Sequence, residues 1–361
     1  MKLLEADDVL IPGRTPVRYR RFSGVWRPRI VLVTLLGLAA TLLMLAVNVG
    51  LGEYRIGVLD VLRVLLGGGD PGQQFVVLDL RLPRSLTAVF VGAALGLSGA
   101  ITQTVTRNAL ASPDILGITT GASTTAVAVI VLGGSFPLAT WLWGTGSLPF
   151  AALVGGLLTA LVIYALAWRK GVEGNRLILV GVGVGAVAAA LTSWLLVTAD
   201  LNDASKATIW LTGSLNGRDW AQVWPVAATV AVLLPVALAL SFGLGAMQLG
   251  DDTAGGLGMR VDRQRTLALL VAVTAAAVAT ASAGPIDFVA LVVPQVAMRL
   301  VASARPPLLT SAVFGALLLL GSDVVARTVL PTELPVGTVT AALGAPYLMW
   351  MLTYGHRRAR V

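Results

Sequence analysis

Cysteine is absent from this chain of 361 residues, and histidine occurs once, as His356 near the C-terminus. Without cysteine, no disulfide can form and no thiolate can bind a metal. A single histidine on the tail also argues against a transition-metal site on this chain. A membrane enzyme is disfavoured as well, because no apolar segment carries a cluster of His, Cys or paired carboxylates.

Charge is also scarce, since only 12% of the residues are Asp, Glu, Lys or Arg. A soluble domain has roughly a quarter of its residues charged. Here 56% of residues are hydrophobic and the mean hydropathy is +0.84. These values predict a polytopic membrane protein. The pI near 10.5 then indicates basic loops that face anionic lipid rather than a nucleic-acid partner.

Uncharged apolar stretches predict ten transmembrane helices and therefore an all-α polytopic membrane protein. The polar stretches between them reach only about 34 residues, too few for a soluble domain. The predicted domains are a cytoplasmic N-terminal segment at 1–29, a permease-like helical domain at 30–355 and a cytoplasmic tail at 356–361. The ten spans are 30–50, 85–106, 115–134, 148–168, 177–198, 222–246, 266–283, 288–303, 308–326 and 335–354.

The distribution of Lys and Arg predicts the orientation. With the N-terminus inside, 19 of the 26 basic residues fall on the cytoplasmic side of the membrane. Cytoplasmic loops are usually the basic ones, so both termini are predicted to be cytoplasmic. An even number of helices agrees with this.

The stretch "LGDDTAGGLGM", residues 249 to 259, falls on the cytoplasmic side between the sixth and seventh spans. It is typical of a short helix between glycine hinges, with Asp251 and Asp252 in the first turn. Ala254, Leu257 and Met259 offer an apolar contact on one side. Two interpretations stay open on composition alone: a solvated loop, or a docking element for a cytoplasmic partner.

Three longer stretches resemble the FecCD family of permeases from ABC importers. They are "LRLPRSLTAVFVGAALGLSGAITQTVTRNALASPDILGITTGAS" at 80–123, "LGDDTAGGLGMRVDRQR" at 249–265, and "AGPIDFVALVVPQVAMRL" at 283–300 with "ELPVGTVTAALGAPYLMWML" after it. Within the family, "GSLNG", "GDDTA" and "RLILVGVGVGA" are most similar to ferric-enterobactin permease subunits. The resemblance implies ten helices in each of two subunits around one pathway.

The resemblance also implies roles for particular residues. It implies that the short helix couples the permease to an ATPase subunit. It also implies that the inner turns at "RNALASPD" (107–114) and near residue 174 form a cytoplasmic gate. Glycines of the fifth helix would line the pathway, and three arginines would dock an external binding protein. The residues are Asp251, Asp252, Thr253, Ala254, Leu257 and Gly258 for coupling; Asn108, Leu110, Gly174 and Asn175 for the gate; Gly181, Gly183 and Gly185 for the pathway; and Arg81, Arg84 and Arg327 for docking.

The partners implied are a second FecCD-type permease subunit, in a heterodimer rather than a homodimer, and two copies of a cytoplasmic ATPase subunit. That subunit would hold ATP and Mg²⁺, since this chain has no G-x-x-x-x-G-K-[ST] motif. A siderophore-binding lipoprotein, membrane lipid and a ferric siderophore complete the set, in the bacterial cytoplasmic membrane. Rival interpretations are a cobalamin or haem permease and, from another class, an ion-coupled secondary transporter.

Some residues depart from the family pattern or carry isolated charge. Ala109 stands where the family has proline, Gln295 where histidine is common, and Asp287 where glycine is common. Asp323 and Arg327 have the i, i+4 spacing of an isolated helix ion pair. Gly92 and Gly96 have the small-xxx-small spacing of closely packed membrane helices.

Overall fold

The computed structural model describes residues 15–19, 22–52, 56–133, 147–169 and 173–354. Each of the ten predicted spans coincides with one apolar helix. The elements in chain order are β1 (Thr15–Tyr19), β2 (Phe22–Trp26), α1 (Pro28–Gly50), α2 (Val58–Leu65), α3 (Pro71–Gln74), α4 (Leu82–Thr106), α5 (Ile118–Leu132), α6 (Ser147–Ala167), α7 (Gly174–Thr198), α8 (Leu201–Leu211), α9 (Trp220–Met247), α10 (Asp251–Gly256), α11 (Val261–Ala283), α12 (Val289–Val301), α13 (Leu308–Thr328) and α14 (Val336–Tyr354).

Eight of these helices, within the described residues, are long and apolar enough to cross a bilayer. The two shorter apolar helices are α5 and α12, with 15 and 13 residues. Helices therefore lie at all ten predicted positions, whereas ten membrane crossings and cytoplasmic termini stay predictions. The all-α fold class is confirmed, and the N-terminal segment adds a short antiparallel hairpin of β1 and β2.

The predicted outer loops contain short helices rather than irregular chain. Asp70 caps the start of α3, where its side chain accepts a hydrogen bond from Gln73 N in a capping box. A π-helical turn, Phe75–Arg81, joins α3 directly to α4. The helical run therefore extends from Pro71 to Thr106 and is much longer than a minimal span.

Helix α4 is the centre of the fold, because most of its residues are buried between α9, α11, α12 and α13. Glycines allow the backbones to approach closely. A side chain on Gly92 would strike the Gly315 carbonyl, and one on Gly99 would strike the backbone of Ala290. Gly96 lies against the Ser311 carbonyl in the same way. The close packing predicted from the Gly92 and Gly96 spacing is confirmed.

A buried ionic cluster joins the first turn of α4 to α13. The carboxylate of Asp323 is completely buried and accepts from Arg84 through Nη2 at 2.7 Å and Nε at 3.1 Å. On its own helix, Arg327 Nε lies 3.4 Å from the second carboxylate oxygen. Asp323 and Arg327 are therefore not the isolated pair expected from their spacing. The acid is shared by two arginines from two helices.

Helix α1 completes this cluster through Asn48. Its Nδ2 donates to Asp323 at 3.0 Å, and its Oδ1 accepts from Ser85 at 2.7 Å and from Arg327 at 2.8 Å. In an apolar medium an unpaired charge is expensive, so these partners must be present together. The cluster consequently fixes α1, α4 and α13 to one another at their predicted outer ends.

Replacing Asp323 with asparagine should destabilise the chain by about 3–5 kcal/mol, because two largely buried arginines lose their shared counter-charge. The matched control is Glu333→Gln, which removes a half-exposed carboxylate 2.5 Å from Arg84. That change should cost no more than about 1 kcal/mol. Thermal unfolding of both variants in the same detergent measures the difference. Equal losses of melting temperature would contradict the cluster's structural role.

Candidate functional site

The stretch between α9 and α11 folds as the short helix α10, as its sequence predicts. Gly250 precedes it with φ +108°, and Gly258 follows it with φ +82°, values that a side chain disfavours. Asp251 and Asp252 occupy the first turn, where carboxylates favour the positive end of the helix dipole. The two left-handed glycines thus set the helix apart from the long helices on each side.

The exposed surface of α10 differs from the one predicted. Ala254 is completely buried against the rest of the chain, so its role here is internal packing. Leu257 points the other way, with 67% of its surface exposed, and Asp252 and Thr253 are exposed beside it. Leu249, just before the helix, is exposed to a similar degree. The apolar surface open to a partner is therefore formed by Leu249 and Leu257 rather than by Ala254.

Asp251 anchors α10 to two other parts of the chain. One carboxylate oxygen pairs with Arg107, the residue that ends α4, and the other lies 2.8 Å from Arg265 Nη2 in α11. Burial alone would raise the pKa of Asp251, but hydrogen bonds and charge from Arg265 and Arg107 outweigh it and lower the pKa below its ordinary value. Both ion pairs therefore stand at neutral pH. A depressed carboxylate loses such stabilisation only as the pH falls through its folded pKa.

The inner turn after α4 is held by its own hydrogen bonds. Arg107 takes a left-handed conformation with φ +51° and ends the helix. Asn108 Oδ1 then accepts from the Leu110 backbone N–H at 2.9 Å, and its carbonyl accepts from Ala111. The exposed Ala109, which replaces the family's proline, lies inside this bonded turn. Hydrogen bonding thus supplies order that proline would otherwise give.

The two turns predicted to form a gate lie in contact. A side chain on Gly174, the first residue of α7, would come within 2.9 Å of the Thr106 backbone at the end of α4. Asn175 is exposed next to it, and both Asn108 and Leu110 are half-buried. The structure therefore brings the four residues to one region. Their gating role stays a prediction.

The three glycines of α7 separate into two groups. Gly181 packs against the backbone of Leu116, and Gly185 packs against Gly117. Their missing side chains serve helix packing within the chain. A Cβ atom added to Gly183 would meet no other atom within 4 Å, and this glycine is exposed. Of the three glycines predicted to line the pathway, Gly183 is therefore the one that no other part of the described chain covers.

The three predicted docking arginines are engaged within the chain. Arg84 and Arg327 belong to the buried cluster around Asp323. Arg81 Nη1 donates to the carbonyls of Val49 at 3.0 Å and Gly50 at 3.2 Å, at the end of α1. Docking of a binding protein through these side chains would require them to exchange partners. It stays a prediction.

Several functional side chains were missed by sequence reasoning. Arg107 and Arg265 lie within the quoted motifs, and their charge is opposite to that of Asp251, which was the available signal. Asn48 gave no signal beyond being a polar residue in an apolar helix. Gln295, which stands where histidine is common, donates to Gln103 Oε1 at 2.7 Å and joins α12 to α4.

In the described part of the chain, no group of three or more His, Cys, Asp or Glu side chains lies close enough together to hold a metal ion. The side chain of Asp287 is exposed at the connection between α11 and α12. Asp323 is neutralised by two arginines. The arrangement can couple and transmit motion, and its described groups are not organised as a catalytic centre.

Comparison with known proteins gives concordant matches. The model of the FecCD transport family matches residues 39–354. The ferric enterobactin transport system permease protein FepG of Escherichia coli (strain K12) is 42% identical over 308 residues, which is 85% of this chain and 91% of that protein. The iron(3+)-hydroxamate import system permease protein FhuG of Bacillus subtilis (strain 168) is 41% identical over 88% of this chain and 96% of its own length.

Solved structures agree with these matches. A metal-chelate type ABC transporter in an inward-facing conformation has a TM-score of 0.78 and 28% identity, over 90% of this chain and 99% of its own. The complex of PsaBC from Streptococcus pneumoniae with Fab has a TM-score of 0.50 at 15% identity, over 82% of this chain and 96% of its own. The second likeness concerns the fold alone.

Contact between the two inner turns predicts opposite effects for two glycine substitutions in α7. Gly174→Ala forces a methyl group against the Thr106 backbone and should destabilise the chain by about 1–3 kcal/mol. Gly183→Ala meets open space, and the gain in helix propensity should leave stability unchanged or raise it by up to about 1 kcal/mol. Thermal unfolding in detergent distinguishes them. A loss at Gly183 as large as at Gly174 would refute the contact.

Proposed function

Because the chain belongs to the FecCD transport family, we propose that it imports a ferric siderophore, with a catecholate of the enterobactin type favoured. It is a multi-pass membrane protein and the permease subunit of an ABC importer, not an enzyme. The observation that carries the proposal is the anchored helix α10 with its exposed leucine, on a chain that matches this family over residues 39–354.

The cargo class rests on the relatives. Their names include ferric enterobactin, iron(3+)-hydroxamate and Fe(3+) dicitrate systems. All three cargoes are chelates that bring their own iron ligands, so a permease needs none. Identities of 42% and 41% favour the enterobactin type only slightly over the hydroxamate type. The "GDDTA" and "GSLNG" motifs add to that preference, and cobalamin and haem are the alternative cargoes.

Coupling would use the connections made by Asp251. An ATPase subunit that binds Leu249 and Leu257 would displace α10 when it moves. The ion pairs of Asp251 with Arg107 and Arg265 would then transmit this displacement to the inner turn and to α11. The glycines at both ends let α10 rotate without unfolding its neighbours. ATP and Mg²⁺ would be held by two copies of the separate ATPase subunit. This chain itself lacks a phosphate-binding loop motif.

The remaining partners follow from the same family. We propose a second FecCD-type subunit in a heterodimer, an external siderophore-binding lipoprotein, and placement in the bacterial cytoplasmic membrane with both termini inside. The open surface of α7 around Gly183 is the part of this chain that we assign to the shared pathway. Ion-coupled transport is disfavoured, because Asp323, buried within an apolar helix, is already compensated by Arg84 and Arg327.

The test is ATP-dependent uptake by proteoliposomes that contain this chain with its permease and ATPase partners and the cognate binding protein. A ferric catecholate should accumulate, whereas cobalamin and haem should not. Leu257→Asp should abolish both uptake and co-purification of the ATPase, because a carboxylate replaces the exposed apolar contact. The matched control is Leu66→Asp, which alters a leucine in the predicted outer loop that is even more exposed than Leu257.

The outcomes separate the parts of the proposal. Uptake of cobalamin or haem in place of the ferric catecholate would overturn the cargo. Retention of the ATPase at wild-type stoichiometry by Leu257→Asp would overturn the coupling surface. A loss of the ATPase in Leu66→Asp would show that any added charge is harmful and would equally contradict that assignment.

A further inference from the structure

A cavity of about 100 Å³ lies between the start of α1, the C-terminal part of α9 and the connection from α12 to α13. We call it the arginine cavity, because Arg27 and Arg305 are in its wall. Ile30, Leu238 and Leu308 form apolar parts of the lining. Neither the predicted gate nor the coupling helix α10 uses the two arginines of this cavity.

The arginine cavity is positively charged without compensation. Arg305 Nη1 donates to the Ser241 carbonyl at 2.6 Å, which holds its guanidinium in the wall. Burial, and then the positive charge of Arg27, lower the pKa of Arg305. The lining includes no Asp or Glu, and neither arginine forms an ion pair within the described residues. Two partly buried like charges of this kind are stabilised by an anion between them.

Two helices also begin at this cavity. Helix α1 starts at Pro28, next to Arg27, and α13 starts at Leu308. The unpaired N–H groups at the start of α13 add positive potential, and phosphate binds readily at such positions, whereas α1 begins with a proline and its Ile30 N–H already donates to the Arg27 carbonyl. Their contribution adds to that of the guanidinium groups. A phosphate group would meet both.

The apolar part of the lining indicates which phosphate this is. Leu238 lines the cavity and is also 41% exposed on the outer surface of α9, among side chains that would face lipid. In the proposed orientation, this is the cytoplasmic boundary of the bilayer. Basic pockets between helices on that side bind anionic lipid head groups. We propose that the arginine cavity binds the phosphate of an anionic phospholipid, with an acyl chain along Leu238.

The test is native mass spectrometry of the purified transporter, containing the full chain, after titration with phosphatidylglycerol or phosphatidylcholine. Wild type should retain phosphatidylglycerol in preference. Arg27→Gln with Arg305→Gln should weaken that binding roughly 25-fold, at about a fivefold loss for each arginine. The matched control is Arg169→Gln with Arg263→Gln, which removes the same charge from two exposed arginines outside the cavity.

The single variant Arg27→Gln should weaken binding about fivefold. Among the described residues the Arg27 side chain makes no hydrogen bond or ion pair, so this variant guards against misfolding. Unchanged phosphatidylglycerol affinity in Arg27→Gln and in the double variant would overturn the proposal. An equal loss in the control pair would do the same. Displacement of the lipid by an equal concentration of inorganic phosphate would assign the cavity to free phosphate instead of lipid.

Discussion

The close backbone contacts of helix α4 are the constraint on which the other features depend. Glycines at 92, 96 and 99 let it approach α12 and α13 at distances that no larger residue would allow. This packing holds the ends of α4 in place. Arg84 in its first turn reaches Asp323, and Arg107, the residue that follows its last turn, reaches Asp251. A rigid helix of about 37 Å thereby connects an ionic cluster at one end to the coupling helix at the other.

The two ionic clusters differ in burial, and that difference suits different tasks. Around Asp323 the charges are buried, and each would be left unpaired if its partner moved away. Rearranging them is therefore costly, and α1, α4 and α13 stay together. Around Asp251 the carboxylate is nearly half exposed, and its partners come from separate segments. The pair with Arg107 is exposed on both sides and can be distorted at small cost, whereas the Arg265 side chain is only 6% exposed. The Asp323 cluster thus holds the helices in position, and the Asp251 cluster can adjust when a partner moves.

Local patterns in the sequence were sufficient for the helices and for α10. Apolar runs predict all ten helix positions, and "GDDTAGG" predicts a short helix between hinges because glycine conformations and first-turn acids are local properties. Contacts between distant segments could not be predicted in this way. Arg84 meets a carboxylate 239 positions away, and no local pattern in the sequence indicates that contact. The direction in which Ala254 and Leu257 point likewise depends on how α10 rests on the rest of the chain.

The central claim is that Asp251 transmits the motion of an attached ATPase to the inner turn. The most direct measurement is the amount of cargo imported per ATP hydrolysed by reconstituted transporter carrying Asp251→Asn, beside the matched control Asp262→Asn. Asp262 is an exposed acid in the first turn of α11 with no ion pair among the described residues. The account predicts that Asp251→Asn keeps the ATPase bound and hydrolysing while import per ATP falls severalfold, and that the control stays near wild type. An unchanged import per ATP in Asp251→Asn would contradict it.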